Sequence, residues 1–246
     1  MKRILITIAY EGTAYAGFQR QDNGVTIEER LTEALLAVTG EEIGLIGGSR
    51  TDAGVHALGN VAVFDTNSRI PGEKFAFALN RHLPEDIRVM ASKKVSEEFH
   101  PHRVPSRKTY RYRIQRASIQ DPLRRAFTWQ IHRELDVKAM KEAASCLVGE
   151  HDFSSFCAAG SQVKSKVREI YSMELKEHGD ELWIEVTGGG FLYNMVRIIA
   201  GTLVEAGLGR WEPQHMKEIL EGKDRGLAGP TAPPQGLTLL GYEFAE

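Results

Sequence analysis

The chain has 246 residues, 42% hydrophobic and 26% charged, with a net charge of −2 and a pI near 6.5. That composition is ordinary for a globular protein of one large domain or two of roughly 100–150 residues. It excludes a surface coated evenly in positive charge, and no stretch approaches the roughly 20 apolar residues of a membrane span.

The opening MKRILITIAYEG turns polar too soon for a signal peptide. Cys146 and Cys157 have no CxxC or zinc spacing, so they read as inert thiols of a cytoplasmic protein.

A first strand is expected over Arg3–Tyr10. A helix is expected from Thr26, where Thr26 and Glu29 have capping-box spacing and Ile27, Leu31, Ala34, Leu35 and Val38 fall on one face. Strands at Ile43–Ile46 and Asn60–Phe64 flank a glycine-rich loop. Pro71 opens a helix to Leu79, and Ile87–Val95 is a strand. Beyond FHPHRVPS the order resumes with strands at Lys108–Gln115 and Ala126–Ile131 and a helix at Asp136–Val148. Strands follow at Glu169–Lys176 and Leu182–Thr187, then a helix from Leu192 to Ala206, a short helix after Pro213, and a strand at Leu239–Phe244. The expected class is α+β, with two split-βαβ, ferredoxin-like halves, 1–103 and 104–246. Their mixed antiparallel sheets join around a central cleft.

Two local features point to chemistry. From Arg103 to Arg116 six residues are Lys or Arg and none is acidic, with Arg124 and Arg125 close behind. The strip reads either as a directed electrostatic surface or as a solvated strand. Period two places Lys108, Tyr110, Tyr112 and Ile114 on one strand face and Thr109, Arg111 and Arg113 on the other. Tyr110 then faces a pocket beside the loop, Tyr112 packs in the core, and the arginines meet phosphate or acidic partners.

The loop GGSRTDAGVHALG has four glycines in thirteen residues, with Arg50 and Asp52 two apart. Glycine admits positive φ and close approach of a ligand to the backbone. The loop lacks both the Lys–Ser/Thr pair of a Walker loop and GxGxxG. Asp52 and His56 are a weak pair of metal ligands beside a repelling arginine; hydrogen bonding suits His56 better. Asp52, ionised at neutral pH with a reference pKa near 3.9, is suited to nucleophilic attack on a sugar or an electron-poor ring. The loop has no second carboxylate of the kind a glycosidase uses to protonate its leaving group. A plain turn closed by an Asp–Arg ion pair is the remaining reading.

GGSRTDAGVHALGN closely resembles the signature loop of the tRNA pseudouridine synthase A family. YEGTAYAGFQRQ, FHPHRVPSRKTYRYRI, GEHDFSSFC and GFLYNMVRIIAGTLVEAG resemble its other motifs, in order, over nearly the whole chain. The resemblance implies that Asp52 is the catalytic aspartate and that Arg50 helps extrude the target nucleotide and fills its place. It implies that Tyr110 packs on the target uracil and that Arg197 pairs with Asp52. It further implies conversion of uridines 38, 39 and 40 in the tRNA anticodon stem-loop to pseudouridine by a cytoplasmic homodimer that binds one tRNA across both subunits, with no cofactor and no metal. At FHPHR relatives often carry an arginine nearer the phenylalanine; His102 stands in that place, with Arg103 next to it. Two rivals remain: a non-catalytic RNA-binding module in which Asp52 only caps a turn, and a nucleoside glycosidase that releases free base.

Overall fold

ILITIAY forms a strand buried on both faces, which is why it reads as an almost unbroken apolar run. Ile4, Ile6 and Ile8 are fully buried along one face. Leu5, on the other, packs with Val61 and Val63 against Ile46, Phe99, Tyr242 and Phe244. The computed structural model describes residues 1–161 and 163–245. Two compact units divide them: Met1–Ser106 with the stretch from Leu239 onward, and Arg107–Thr238.

The first unit contains β1 (Lys2–Tyr10), α1 (Ile27–Thr39), β2 (Ile46–Gly47), β3 (His56–Thr66), α2 (Phe75–Leu79) and β4 (Ile87–Val95). The second contains β5 (Ser106–Arg116, less its first residue), β6 (Trp129–Ile131), α3 (Val137–Ser145), β7 (Gly149–Asp152), β8 (Val167–His178), β9 (Glu181–Gly188), α4 (Met195–Gly207) and α5 (His215–Gly222). The last strand, β10 (Leu237–Phe244), enters the first unit at Leu239.

In the first unit the strands lie in the order β4-β1-β3-β10, with β1 antiparallel to both β3 and β4. The β1–β3 register runs from Lys2↔Thr66 to Tyr10↔Ala57, with one irregularity between Ile8 and Tyr10. In the second unit the order is β5-β9-β8-β7, all antiparallel, and β6 runs parallel to β5. The class is therefore α+β, mostly antiparallel, with few helices.

The capping box at α1 is present: Thr26 Oγ1 accepts from the Glu29 N–H, and the Glu29 carboxylate accepts from the Thr26 N–H. Ile27, Leu31, Ala34 and Leu35 are buried, as the periodicity predicts. α4 differs from a surface helix because twelve of its residues are buried, so it has no polar face and lies inside its unit. No helix among the described residues is long and apolar enough to cross a membrane.

Candidate active site

The glycine-rich loop links β2 to β3, and its burial alternates. Ser49 and Thr51 are buried, Arg50 is exposed and Asp52 is half-buried. That alternation accounts for an arginine and an aspartate two apart: the residues between and before them anchor the loop, leaving these two more open than their neighbours.

The anchors come from the motif after β1. The Phe18 N–H donates to the Thr51 carbonyl at 3.1 Å, and the Gly54 N–H donates to the Tyr15 carbonyl at 3.3 Å. Both flanks of Asp52 are thus tied to the segment 15–18. The Val55 N–H closes a turn on the Asp52 carbonyl at 3.1 Å, with Gly54 at φ 78°. Gly17 has φ 104°, and a Cβ there would stand 2.6 Å from the Thr51 carbonyl oxygen; a side chain at this position pushes the loop away from its anchor. His56 is buried, and its Nδ1 accepts the Gly12 N–H at 3.0 Å. This is the hydrogen-bonding role the sequence suggests for it. Among the described residues no group of three or more His, Cys, Asp or Glu is placed to hold a metal ion.

Tyr110 and Arg197 belong to the second unit, Asp52 and Arg50 to the first. Tyr110, on β5, is 8% exposed and meets Phe191 edge to face, with centroids 5.2 Å apart. Tyr112, two residues on, is fully buried and donates to the Pro233 carbonyl at 2.8 Å. Burial pushes its phenol well above the usual range, outweighing the opposite pull of the Arg197 charge. It is a core residue, as expected from the sequence. Arg197 is half-buried on α4; its Nε donates to the Ala232 carbonyl at 2.8 Å and its Nη1 to Asn194 Oδ1 at 2.9 Å. Two acceptors therefore orient the guanidinium.

The basic strip has a different character from its sequence. Arg113 makes a two-pronged pair with Glu181 at 2.8 and 2.9 Å, and Trp183 Nε1 donates to the same carboxylate at 2.7 Å. Arg111 pairs with Glu185, which also takes Lys176, and lies over the Trp183 ring at 4.0 Å. Arg124 clamps Asp180 and Asp121, and Arg116 pairs with Glu177. Of the two fates left open for Arg111 and Arg113, the structure selects acidic partners within the unit. Arg103 and Arg107 remain exposed, Arg107 over the Tyr171 ring at 4.9 Å.

Arg113→Ala strands a carboxylate that is only 6% exposed. It is expected to cost about 2–3 kcal/mol in chemical denaturation, since Trp183 and Arg124 still satisfy part of Glu181. The salt dependence of any polyanion binding should be unchanged; a flatter slope shows that Arg113 contacts phosphate after all.

The same pairs set an acid limit. Burial raises the Glu181 and Glu185 carboxyls, but their cationic partners outweigh it and hold both below the usual range. Their contribution is then full above the unfolded value near 4.5 and fades as pH falls through the lower folded value. Stability is expected to drop below about pH 4.5, and less steeply in Glu181→Gln; equal slopes in acid titrations of the two proteins contradict this.

A family model described as tRNA pseudouridine synthase matches residues 6–102 and 143–245. The chain is 48% identical over 240 residues to the tRNA pseudouridine synthase A of Thermoanaerobacter sp. (strain X514), covering 98% of each chain. It is 47% identical over 239 residues to that of Brevibacillus brevis, covering 97% of this chain and 98% of the relative. The Syntrophomonas wolfei protein of the same name is 45% identical over 246 residues, with 100% and 99% covered. The chain belongs to the tRNA pseudouridine synthase family.

Sequence reasoning missed Phe191 against Tyr110 and Asn194 against Arg197. It also missed the buried polar residues behind the loop, Tyr10 and Asn60. The one available signal was an asparagine inside the apolar run HALGNVAVF, where an unpartnered amide is costly to bury.

Proposed function

We propose that the chain isomerises uridines 38, 39 and 40 of the tRNA anticodon stem-loop to pseudouridine, with Asp52 as the nucleophile. The observation that carries this reading is the loop itself: Arg50 is exposed and Asp52 half-buried between buried neighbours, while the backbone on either side of Asp52 is tied down. The C1′–N1 bond breaks, the uracil turns, and a C1′–C5 bond forms. The C5 proton leaves and N1 gains one, so the reaction needs no oxidant and no cofactor. The base never departs, so one carboxylate suffices where a glycosidase needs two. Attack on C1′ of ribose and attack on C6 of uracil both satisfy this balance.

A uridine stacked in a stem is reached only by flipping it out, at a cost of a few kcal/mol. In this reading Arg50 fills the vacated place, Tyr110 packs on the flipped uracil, and Arg197 pairs with Asp52. The reading includes a cytoplasmic homodimer that binds one tRNA, and two split-βαβ halves, 1–103 and 104–246, joined around an RNA-binding cleft. Family membership and the matching motifs support these finer statements.

The test is a set of tRNA transcripts in which U38, U39 and U40 are replaced by cytidine singly and together. Mapping by carbodiimide labelling and reverse transcription should place every modification at a remaining uridine of the three. Modification persisting in the triple replacement overturns the assignment of position.

Tyr110→Ala is expected to slow the single-turnover reaction at saturating enzyme by roughly 10–100-fold, the worth of about 1–3 kcal/mol of base stacking. Tyr110→Phe, which keeps the ring, should retain most of the rate. A wild-type rate for Tyr110→Ala at saturation removes this tyrosine from the pocket.

A further inference from the structure

Behind the reactive loop lies a buried polar chain. Asn60 of β3 is 0% exposed, Tyr10 of β1 4%, Ser49 6% and Thr51 7%. The Asn60 carboxamide reads both backbone groups of Ser49: its Oδ1 accepts the Ser49 N–H at 3.2 Å, and its Nδ2 donates to the Ser49 carbonyl at 3.0 Å. Nδ2 also donates to the Tyr10 hydroxyl at 3.1 Å, and Oδ1 accepts the Val61 N–H at 2.8 Å. The Tyr10 hydroxyl in turn bonds Thr51 Oγ1 at 2.7 Å. The Tyr10 hydroxyl therefore links Asn60 to Thr51, accepting from the first and sharing one proton with the second. Tyr242 donates to Ser49 Oγ from β10.

We propose that Asn60, Tyr10 and Thr51 form a splint that positions Arg50 and Asp52 for the reaction. Asn60 and Tyr10 are positioning residues that act through Ser49 and Thr51. Ser49 and Thr51 are the residues just before Arg50 and Asp52, and each is fixed from a different strand of the same sheet. An aspartate at position 60 cannot donate to the Ser49 carbonyl, and a leucine can neither donate nor accept. The asparagine is thus suited to gripping the loop rather than filling the core. A nucleophile that must meet one carbon of a flipped nucleotide loses on the order of 10²-fold in rate when displaced by about 1 Å. The inference rests on Asp52 being the reacting carboxylate.

The variants are Tyr10→Phe and Thr51→Val, which each delete one hydroxyl from the chain, Thr51→Ser, which keeps the hydroxyl, and Asn60→Asp. Tyr10→Phe and Thr51→Val are expected to lower the single-turnover rate at saturating enzyme by about 10-fold or more, with tRNA Kd within about threefold of wild type. The double variant should lose little beyond either single one, because both break one chain. Thr51→Ser, which lacks the methyl but keeps the hydroxyl, should retain most of the rate, as a role in packing alone would not predict. If Tyr10→Phe and Thr51→Val melt earlier yet react at the wild-type rate, the splint holds the fold and does not position the site. Asp52→Asn in the same assay separates the two claims: turnover by that variant sinks the reading of Asp52 itself, whereas its silence beside unimpaired Tyr10→Phe sinks the splint alone. Should Asn60→Asp fail to fold, the hydroxyl variants still decide.

Discussion

Asp52→Asn should abolish pseudouridine formation, slowing single-turnover reaction by at least about a hundredfold, ~2.7 kcal/mol of barrier at 25 °C. Binding of tRNA should stay within about tenfold, ~1.4 kcal/mol. Asparagine has the shape of aspartate, and the backbone contacts of this stretch, from the Phe18, Gly54 and Val55 N–H groups to the Thr51, Tyr15 and Asp52 carbonyls, do not involve the carboxylate. The substitution therefore keeps those contacts and removes the anion. A neutral amide does not act as the nucleophile, and it no longer answers a partner arginine. A non-catalytic RNA-binding module would register no functional loss from this change. Turnover at a tenth of the wild-type rate removes Asp52 from the chemistry.

Gly201→Ala should be the most damaging single methyl in the second unit. A Cβ on Gly201 would lie 1.8 Å from the Pro230 carbonyl oxygen and 2.9 Å from its carbon, both backbone atoms that no rotamer change can move aside. Helix α4 and the segment 229–232 would have to part. Three hydrogen bonds cross that seam: Ala232 N–H to the Arg197 carbonyl at 3.1 Å, Arg197 Nε to the Ala232 carbonyl at 2.8 Å, and Gly229 N–H to Thr202 Oγ1 at 3.0 Å. The expected loss is about 3 kcal/mol, a fall in Tm of roughly 6–12 °C. Because one of those bonds orients the Arg197 guanidinium, the rate at saturating enzyme should fall even below the unfolding transition. Gly44→Ala, where a Cβ meets nothing within 4 Å, is the control and should shift stability by no more than about 0.5 kcal/mol. Equal melting of the two variants would mean that α4 does not pack as described.

Strands and helices with strong periodicity were legible in the sequence. Ile87–Val95 is a strand with those bounds, and the α1 capping box is as expected. Elements without their own pattern were not. β7, Gly149–Asp152, carries no apolar alternation and exists because β8 offers it a pairing edge. β3 starts at His56 rather than Asn60, since Gly59 looks like a loop residue in the sequence but sits where a Cβ would be 2.8 Å from the Leu240 carbonyl oxygen. Helix α4 starts at Met195 rather than Leu192 because Asn194 turns left-handed, at φ 59°.

The candidate site divides the same way. Arg50 and Asp52 stand out as charged residues in a glycine-rich loop, whereas Tyr110 shares its strand face with Tyr112 and is singled out only by the family resemblance. The splint was hidden because Asn60 meets Tyr10 across fifty positions of sequence. The neutralisation of Arg111 and Arg113 in the basic strip was hidden for the same reason. Glu181 and Glu185 lie 68 and 74 residues from the arginines they neutralise, and no local charge pattern records that pairing.

The central claim is that the base is cleaved from C1′ and rejoined through C5 without leaving. Forming the C1′–C5 bond expels the C5 hydrogen, so tRNA labelled with tritium at C5 of uridine reports the step directly. The account predicts tritium released to water in proportion to pseudouridine in the nuclease digest, with no free uracil. Free uracil still carrying its tritium would contradict it and identify a glycosidase instead.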